Sequence, residues 1–212
     1  MALVVALSGY AVTRAVGRDA GPNRCDRLAA DSAQRLTQDT GTGRRIVVIG
    51  DSYSVGAGLE HPLYSWPSRL PGRVHVAGFS GSGFSADASP CGRVSYADRA
   101  PAAVRGGADL VVVEGGLNDY DRSDAAIRAG FERLVRALDG LPVLVVGPAP
   151  APSRVDAVPR VDALLADLSA EHGVDYLSMA DLELTYLGDR LHPDAAGQSV
   201  FGDTVAAGLS AQ

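Results

Sequence analysis

From residue 45 onward, short apolar runs alternate with amphipathic stretches. Arg45 to Gly50 (RIVVIG) is continuous and rich in β-branched residues, the pattern of a strand buried on both faces. Arg73 to Ala77 is a weaker second run, Ala108 to Glu114 (ADLVVVE) a third, Pro142 to Gly147 (PVLVVG) a fourth and Val174 to Leu177 a short fifth. Helical patterns lie between them. Ala97 to Arg105 is one. Ser123 to Leu138 places Ile127, Phe131, Leu134, Val135 and Leu138 at helical spacing. Val158 to His172 does the same with Val161, Leu164, Leu165 and Leu168, and Gly173 stops it. Pro193 to Leu209 closes the chain, with Pro193 and Asp194 as the helix start. This alternation predicts a parallel sheet with helices on both faces and right-handed crossovers. In such sheets functional groups gather at the carboxyl ends of the strands.

Four polar blocks fall at or near those ends. Gly50-Asp51-Ser52-Tyr53-Ser54 follows the first run, Gly78-Phe79-Ser80-Gly81-Ser82-Gly83 the second and Gly115-Gly116-Leu117-Asn118-Asp119 the third. Asp189-Arg190-Leu191-His192-Pro193 stands near the C-terminus. Together they supply the parts of an acyl-transfer site. A serine hydroxyl needs a base to become a nucleophile, and His192 can be that base. Asp189, three residues earlier, can hold the other imidazole nitrogen. The N–H groups of Ser52 and of the glycine loop, with the Asn118 amide, can receive the oxyanion.

With these blocks the chain resembles the SGNH hydrolase superfamily, the GDSL-type lipases and esterases. Gly50-Asp51-Ser52, Ser80-Gly81, Gly116-Leu117-Asn118-Asp119 and Asp189-x-x-His192 match in the family's order, from about Arg45 to the C-terminus. The resemblance implies Ser52 as nucleophile, His192 as base, Asp189 as its orienter, and Gly81 and Asn118 as oxyanion donors beside Ser52. It also implies a flavodoxin-like three-layer α/β/α sandwich around a mainly parallel five-stranded sheet. Tyr53 stands where the family name has Leu, a form similar to that of secreted actinobacterial members. Tyr53, Phe79, Leu117 and Tyr120 adjoin the blocks and are the candidates for the substrate pocket. Tyr64 and Trp66 read better as a hydrophobic cluster under a loop.

Composition narrows the class. The chain has 212 residues, 46% hydrophobic and 21% charged, enough for one core. Its net charge is −6 and all its basic residues are Arg, so no basic surplus serves nucleic acid. Residues 1–18 carry an apolar run, Ala2 to Val12, followed by Arg14 and Arg18, the pattern of a signal peptide or short membrane anchor. The alternative is a tail on a cytoplasmic protein. Residues 19–43 read as a linker and N-terminal helical segment, and 44–212 as the hydrolase domain. If the chain is exported, Cys25 and Cys91 can form one disulfide; otherwise they are two unrelated buried thiols.

Competing motifs fail. Gly81 to Ala86 fits G-x-G-x-x-A, but no acidic residue ends a following strand. Position 54 is Ser, so G-x-S-x-G is broken. The Asp119, Asp121 and Asp124 cluster lacks calcium-loop spacing, and no zinc signature occurs. His61, His75 and His172 have no acidic partner at a telling spacing, apart from Glu171 beside His172, and read as structural. Asp51 reads as a structural hydrogen-bonding residue. The expectation is a serine esterase for short-acyl, acetylated-glycan or lipid esters, secreted or held at the envelope, without metal or organic cofactor. An O-acyltransferase on the same triad and a non-catalytic carbohydrate- or lipid-binding module are the alternatives.

Overall fold

The computed structural model describes residues 23–210, so the segment read as a signal peptide or anchor lies outside the described residues. In chain order the elements are α1 (Arg24–Leu36), β1 (Arg45–Gly50), α2 (Ser52–Val55), β2 (Arg73–Gly78), α3 (Tyr96–Ala103), β3 (Leu110–Glu114), α4 (Asp124–Ala137), β4 (Val143–Val146), α5 (Val158–His172), β5 (Asp175–Leu177) and α6 (Ala195–Ser210). The five strands lie in the order β2-β1-β3-β4-β5, and every neighbouring pair is parallel. This is the expected three-layer α/β/α fold.

The strand runs are continuously apolar because both faces are covered. In β1, Ile46 and Val48 join a core with Trp66, Phe201, Val205 and Leu209, while Val47 enters a second core with Phe84, Tyr96, Phe131, Leu134 and Leu165. Leu110 and Val112 of β3 face the first core, and Val111 and Val113 the second. So α6 covers one face and α3, α4 and α5 cover the other. Burying one such aliphatic side chain contributes about 1.5–3 kcal/mol.

Local signals set the element ends. Ser123 caps α4 by accepting from the Ala126 N–H, and Gly173 at φ +64 closes α5 in the left-handed region. Asn23 and Asp26 form a reciprocal capping box at α1. The third strand begins at Leu110, not Ala108; Asp109 spends its carboxylate on the Arg45 N–H at 2.7 Å at the sheet's entry.

Helix α1 packs along the β2 edge, where Ser32 Oγ donates to the Gly78 carbonyl at 2.6 Å. Here one expectation needs correction. His75 does have an acidic partner, since its Nδ1 lies 2.8 Å from Asp39 Oδ1. The two are separated by 36 residues, and only the fold brings them together. Cys25 of α1 is disulfide-bonded to Cys91, with Cα atoms 5.4 Å apart. Among the described residues no helix is long and apolar enough to cross a membrane.

Candidate active site

The strand order reverses direction between β1 and β3, which opens a crevice beyond their carboxyl ends. Ser52 sits there as the first residue of α2. Asp51 caps the turn, its Oδ1 accepting from the Tyr53 N–H at 2.9 Å. Asn118 reaches the same place from a short 3-10 turn after β3, Leu117–Asp119, entered through Gly116 at φ +114. Gly81, at φ +82, comes from the loop after β2, and nothing lies within 4 Å of where its Cβ would be. Ser52, Gly81, Asn118 and His192 line one cavity of ≈ 250 Å³. Among the described residues the backbone N–H groups of Ser52 and Gly81 donate to no partner.

The histidine comes from the turn before α6. Its Nδ1 lies 2.6 Å from Asp189 Oδ2, while Asp189 Oδ1 accepts from the Leu191 and His192 N–H groups at 2.9 and 3.0 Å. Partial burial pushes the Asp189 carboxyl up, but the His192 ring and those two N–H groups outweigh it and hold it down at about 2. Asp189 is therefore ionised at neutral pH. Arg190 between them adopts φ +58, the one non-glycine residue in the left-handed region among the described residues. The Ser52 hydroxyl makes no hydrogen bond among the described residues, so its contact with the imidazole is open in this arrangement.

A layer of charged groups supports the crevice from below. Asp51 is 1% exposed and Glu114, at the end of β3, is 3% exposed. Burial and then the charge of Asp51 push Glu114 well above the usual carboxylate range. Burial also pushes Asp51 up, but the Tyr53 N–H and the charges of His192, Arg154 and Arg99 pull it back. Ser54 Oγ donates to Glu114 Oε2 at 2.6 Å and accepts from Trp66 Nε1 at 3.2 Å. Arg99 donates to the Ala77, Gly50 and Val94 carbonyls and to Ser82 Oγ, gathering the ends of β1 and β2 and the glycine loop. Asp119 is fully buried and accepts from the Phe84 and Ser85 N–H groups, both at 2.9 Å. Burial still raises its carboxyl to about 6.

Asn118 is more engaged than an isolated oxyanion donor would be. Its Nδ2 donates to Asp51 Oδ2 and to the Ser82 carbonyl, both at 2.9 Å, and its Oδ1 accepts from Arg154 Nη1 at 2.9 Å. Both amide hydrogens are committed, so donation to a third acceptor requires one of these bonds to be shared.

The aromatic residues next to the motifs fall differently from expectation. Tyr53 is buried at 2% exposure and donates its hydroxyl to the Leu191 carbonyl at 2.6 Å; it does not line the cavity. Phe79 is buried as well, and Leu117 belongs to the core. Tyr120 is 43% exposed and lines an adjoining depression of ≈ 200 Å³ that shares Gly81 and Asn118 with the cavity. Trp66 joins the main core against the sheet and Tyr64 is exposed, so the two do not form a separate cluster under a loop. The residues that complete the cavity include Arg24, Leu28 and Asp31 of α1, and Arg154 and Leu191. Sequence patterns gave no sign of Arg154. The cysteine pair is the signal for α1, since a Cys25–Cys91 bond brings that helix beside the loop after Gly81.

The parallel sheet thus carries a serine, two free backbone N–H donors and a carboxylate-held histidine at its switch point. The chain belongs to the GDSL-like lipase/acylhydrolase family, whose model matches residues 48–200, and it is accordingly a carboxylic ester hydrolase. Among solved structures it is similar to Est24, a carbohydrate acetylesterase from Sinorhizobium meliloti, at 22% identity and a TM-score of 0.67, covering 80% of this chain and 99% of that one. A putative arylesterase from Agrobacterium tumefaciens gives 23% identity and a TM-score of 0.67 over the same shares. The Mycobacterium smegmatis aryl esterase gives 19% and 0.61, over 80% and 99%. No curated protein sequence matches significantly.

Proposed function

We propose that the protein is a serine esterase in which Ser52 is the nucleophile, His192 the base and Asp189 the group that orients it. The observation that carries this reading is the convergence of Ser52, Gly81, Asn118 and His192 on one cavity, with Asp189 bound to the far side of the imidazole. Asp189 accepts at Nδ1, so in the neutral ring that nitrogen holds the proton and Nε2 is the base. Nε2 closes on the Ser52 hydroxyl and takes its proton as the oxygen attacks the ester carbonyl. The oxyanion forms against the Ser52 and Gly81 N–H groups, and Asn118 adds a third bond by sharing one of its amide hydrogens. The imidazolium, stabilised by ionised Asp189, then protonates the leaving alcohol. Water activated by the same nitrogen releases the acid from the acyl-enzyme.

The cavity volume fits short acyl groups or acetylated sugars better than long chains. The disulfide supports export, since such bonds persist in oxidising compartments. The test is hydrolysis of p-nitrophenyl esters from acetate to palmitate by wild type and Ser52→Ala. We expect turnover greatest for the short chains, lost by several orders of magnitude in Ser52→Ala. Undiminished turnover in Ser52→Ala overturns the assignment.

A further inference from the structure

The esterase mechanism leaves two arginines of the cavity without a role. Arg154 arrives from the loop between β4 and α5. Its Nη1 donates to the Leu117 carbonyl at 2.6 Å and to Asn118 Oδ1 at 2.9 Å. Its guanidinium carbon lies 4.5 Å from the centre of the Tyr120 ring. These contacts fix one nitrogen and one face of the guanidinium. Among the described residues Nε and Nη2 donate to nothing. Arg24, at the start of α1, is exposed and has no hydrogen-bond or ion-pair partner among the described residues. Both arginines line the reacting cavity and the depression beside it. Arg122 also lines that depression, but Asp121 engages it through two bonds. One carboxylate opposes the pair in the reacting cavity, Asp31. The chain as a whole is acidic, at −6, so two cations beside the reacting serine run against its general charge.

We propose that Arg154, with Arg24 as a second contact, forms an anion subsite that makes the enzyme favour esters carrying a carboxylate or similar oxyanion near the reacting carbonyl. A guanidinium offers a planar fork of donors that matches a carboxylate, and its Nε/Nη2 edge is the one left open here. The Tyr120 stack and the two Nη1 bonds hold that fork in place before substrate arrives, which reduces the ordering cost of binding. Because Nη1 holds Asn118, an anion docked on the open edge is held in register with the oxyanion donors. The proposal rests on the serine-esterase reading of Ser52.

The test compares matched esters within each protein. Monoethyl glutarate against ethyl valerate places the carboxylate on the acyl side; acetylated glucuronate against acetylated glucose places it on the alcohol side. In wild type, kcat/KM favours the anionic member of one pair by about tenfold, the size of one charge-assisted hydrogen bond. Most of the difference lies in KM. Arg154→Gln brings the ratio close to one, Arg24→Gln lowers it partway, and Asp31→Asn raises it. The preference also weakens with salt. Using the ratio removes any change that Arg154→Gln causes through Asn118. Binding provides a readout free of turnover: Ser52→Ala binds glutarate by calorimetry, and Ser52→Ala with Arg154→Gln does not. Equal rates within both pairs, or a preference that survives Arg154→Gln, overturn the subsite and leave the esterase standing. Glutarate binding through Arg154 in a protein that hydrolyses no ester overturns the esterase and leaves the subsite. Absent binding with absent turnover overturns both.

Discussion

The cavity has two halves held in different ways. The half on the sheet edge, with Ser52, Gly81 and Asn118, rests on buried ionisable groups set into the fold: Asp51, Glu114, Asp119 and Arg99. The outer half, with His192, Arg154 and the α1 wall, rests on tethers. The Tyr53 hydroxyl holds Leu191, Arg154 bridges Leu117 and Asn118, the Ser153 N–H donates to the Arg190 carbonyl, and a disulfide clips α1. A charged network below the surface loses much when one member goes, because the others are left uncompensated. A tether loses only its own bond. The sheet half should therefore fail together with the fold, and the outer half should loosen while the fold persists.

Arg99→Met breaks this contrast most severely if it is wrong. Partly buried, with its pKa lowered by burial to about 10, the guanidinium joins the carbonyl ends of β1 and β2 to Ser82. Removing it leaves Ala77 O and Gly50 O without this donor and should cost about 2–4 kcal/mol in chemical denaturation. Activity should fall in step, since Ser52 and Gly81 lie directly beyond those carbonyls. A variant that keeps wild-type stability and loses only activity would show that the network shapes the site without holding the fold.

The two halves also differ in how far the sequence reveals them. The sheet half was readable because its elements announce themselves locally. RIVVIG and ADLVVVE are apolar on both faces, and the polar blocks follow them directly, so their placement at one edge follows from the parallel topology. The outer half depends on distant pairings. Arg154 lies in a proline-rich loop with no motif around it, and α1 meets the cavity through packing against β2 and α2 and the bond to Cys91. The aromatic candidates show a related error. Nearness to Ser52 in sequence suggested that Tyr53 lines the pocket, but a strand-to-helix turn sends successive side chains in different directions. Tyr53 points into the core beside Phe201, with ring centroids 6.0 Å apart. The charges under the site were hidden for a third reason. Glu114 ends an apolar strand and reads as its polar terminus, and nothing local says that Asp51 faces it.

Removing the disulfide with Cys25→Ser and Cys91→Ser tests the outer half next. The bond spans 66 residues of chain, and losing such a link costs about 2–4 kcal/mol of stability by freeing the detached state that it constrains. If α1 is a tethered wall, that loss appears as faster hydrogen exchange of the amides from Arg27 to Arg35, while β1 and β3 exchange as before. KM should rise more than kcat falls, because Leu28 and Asp31 line the cavity without joining the chemistry. Equal acceleration across β1 would make α1 an integral layer of the fold.

Tyr53→Phe is the finest of these changes. The hydroxyl donates to the Leu191 carbonyl at 2.6 Å, one residue before His192, and the ring stays packed against Phe201 and near His192 in either form. The substitution removes one oxygen and leaves the core volume almost unchanged. A neutral hydrogen bond of this kind is worth about 0.5–1.5 kcal/mol, so the melting temperature should fall by only a few degrees. The catalytic effect should be of the same order, about three- to tenfold in kcat, because the Asp189–His192 turn loses a restraint and spends less time aligned with Ser52. KM for short esters should hold, since Tyr53 lines no part of the cavity. A drop in KM-governed binding with kcat intact would mean that the tyrosine shapes the pocket after all, and that its hydroxyl is not what keeps the histidine in place.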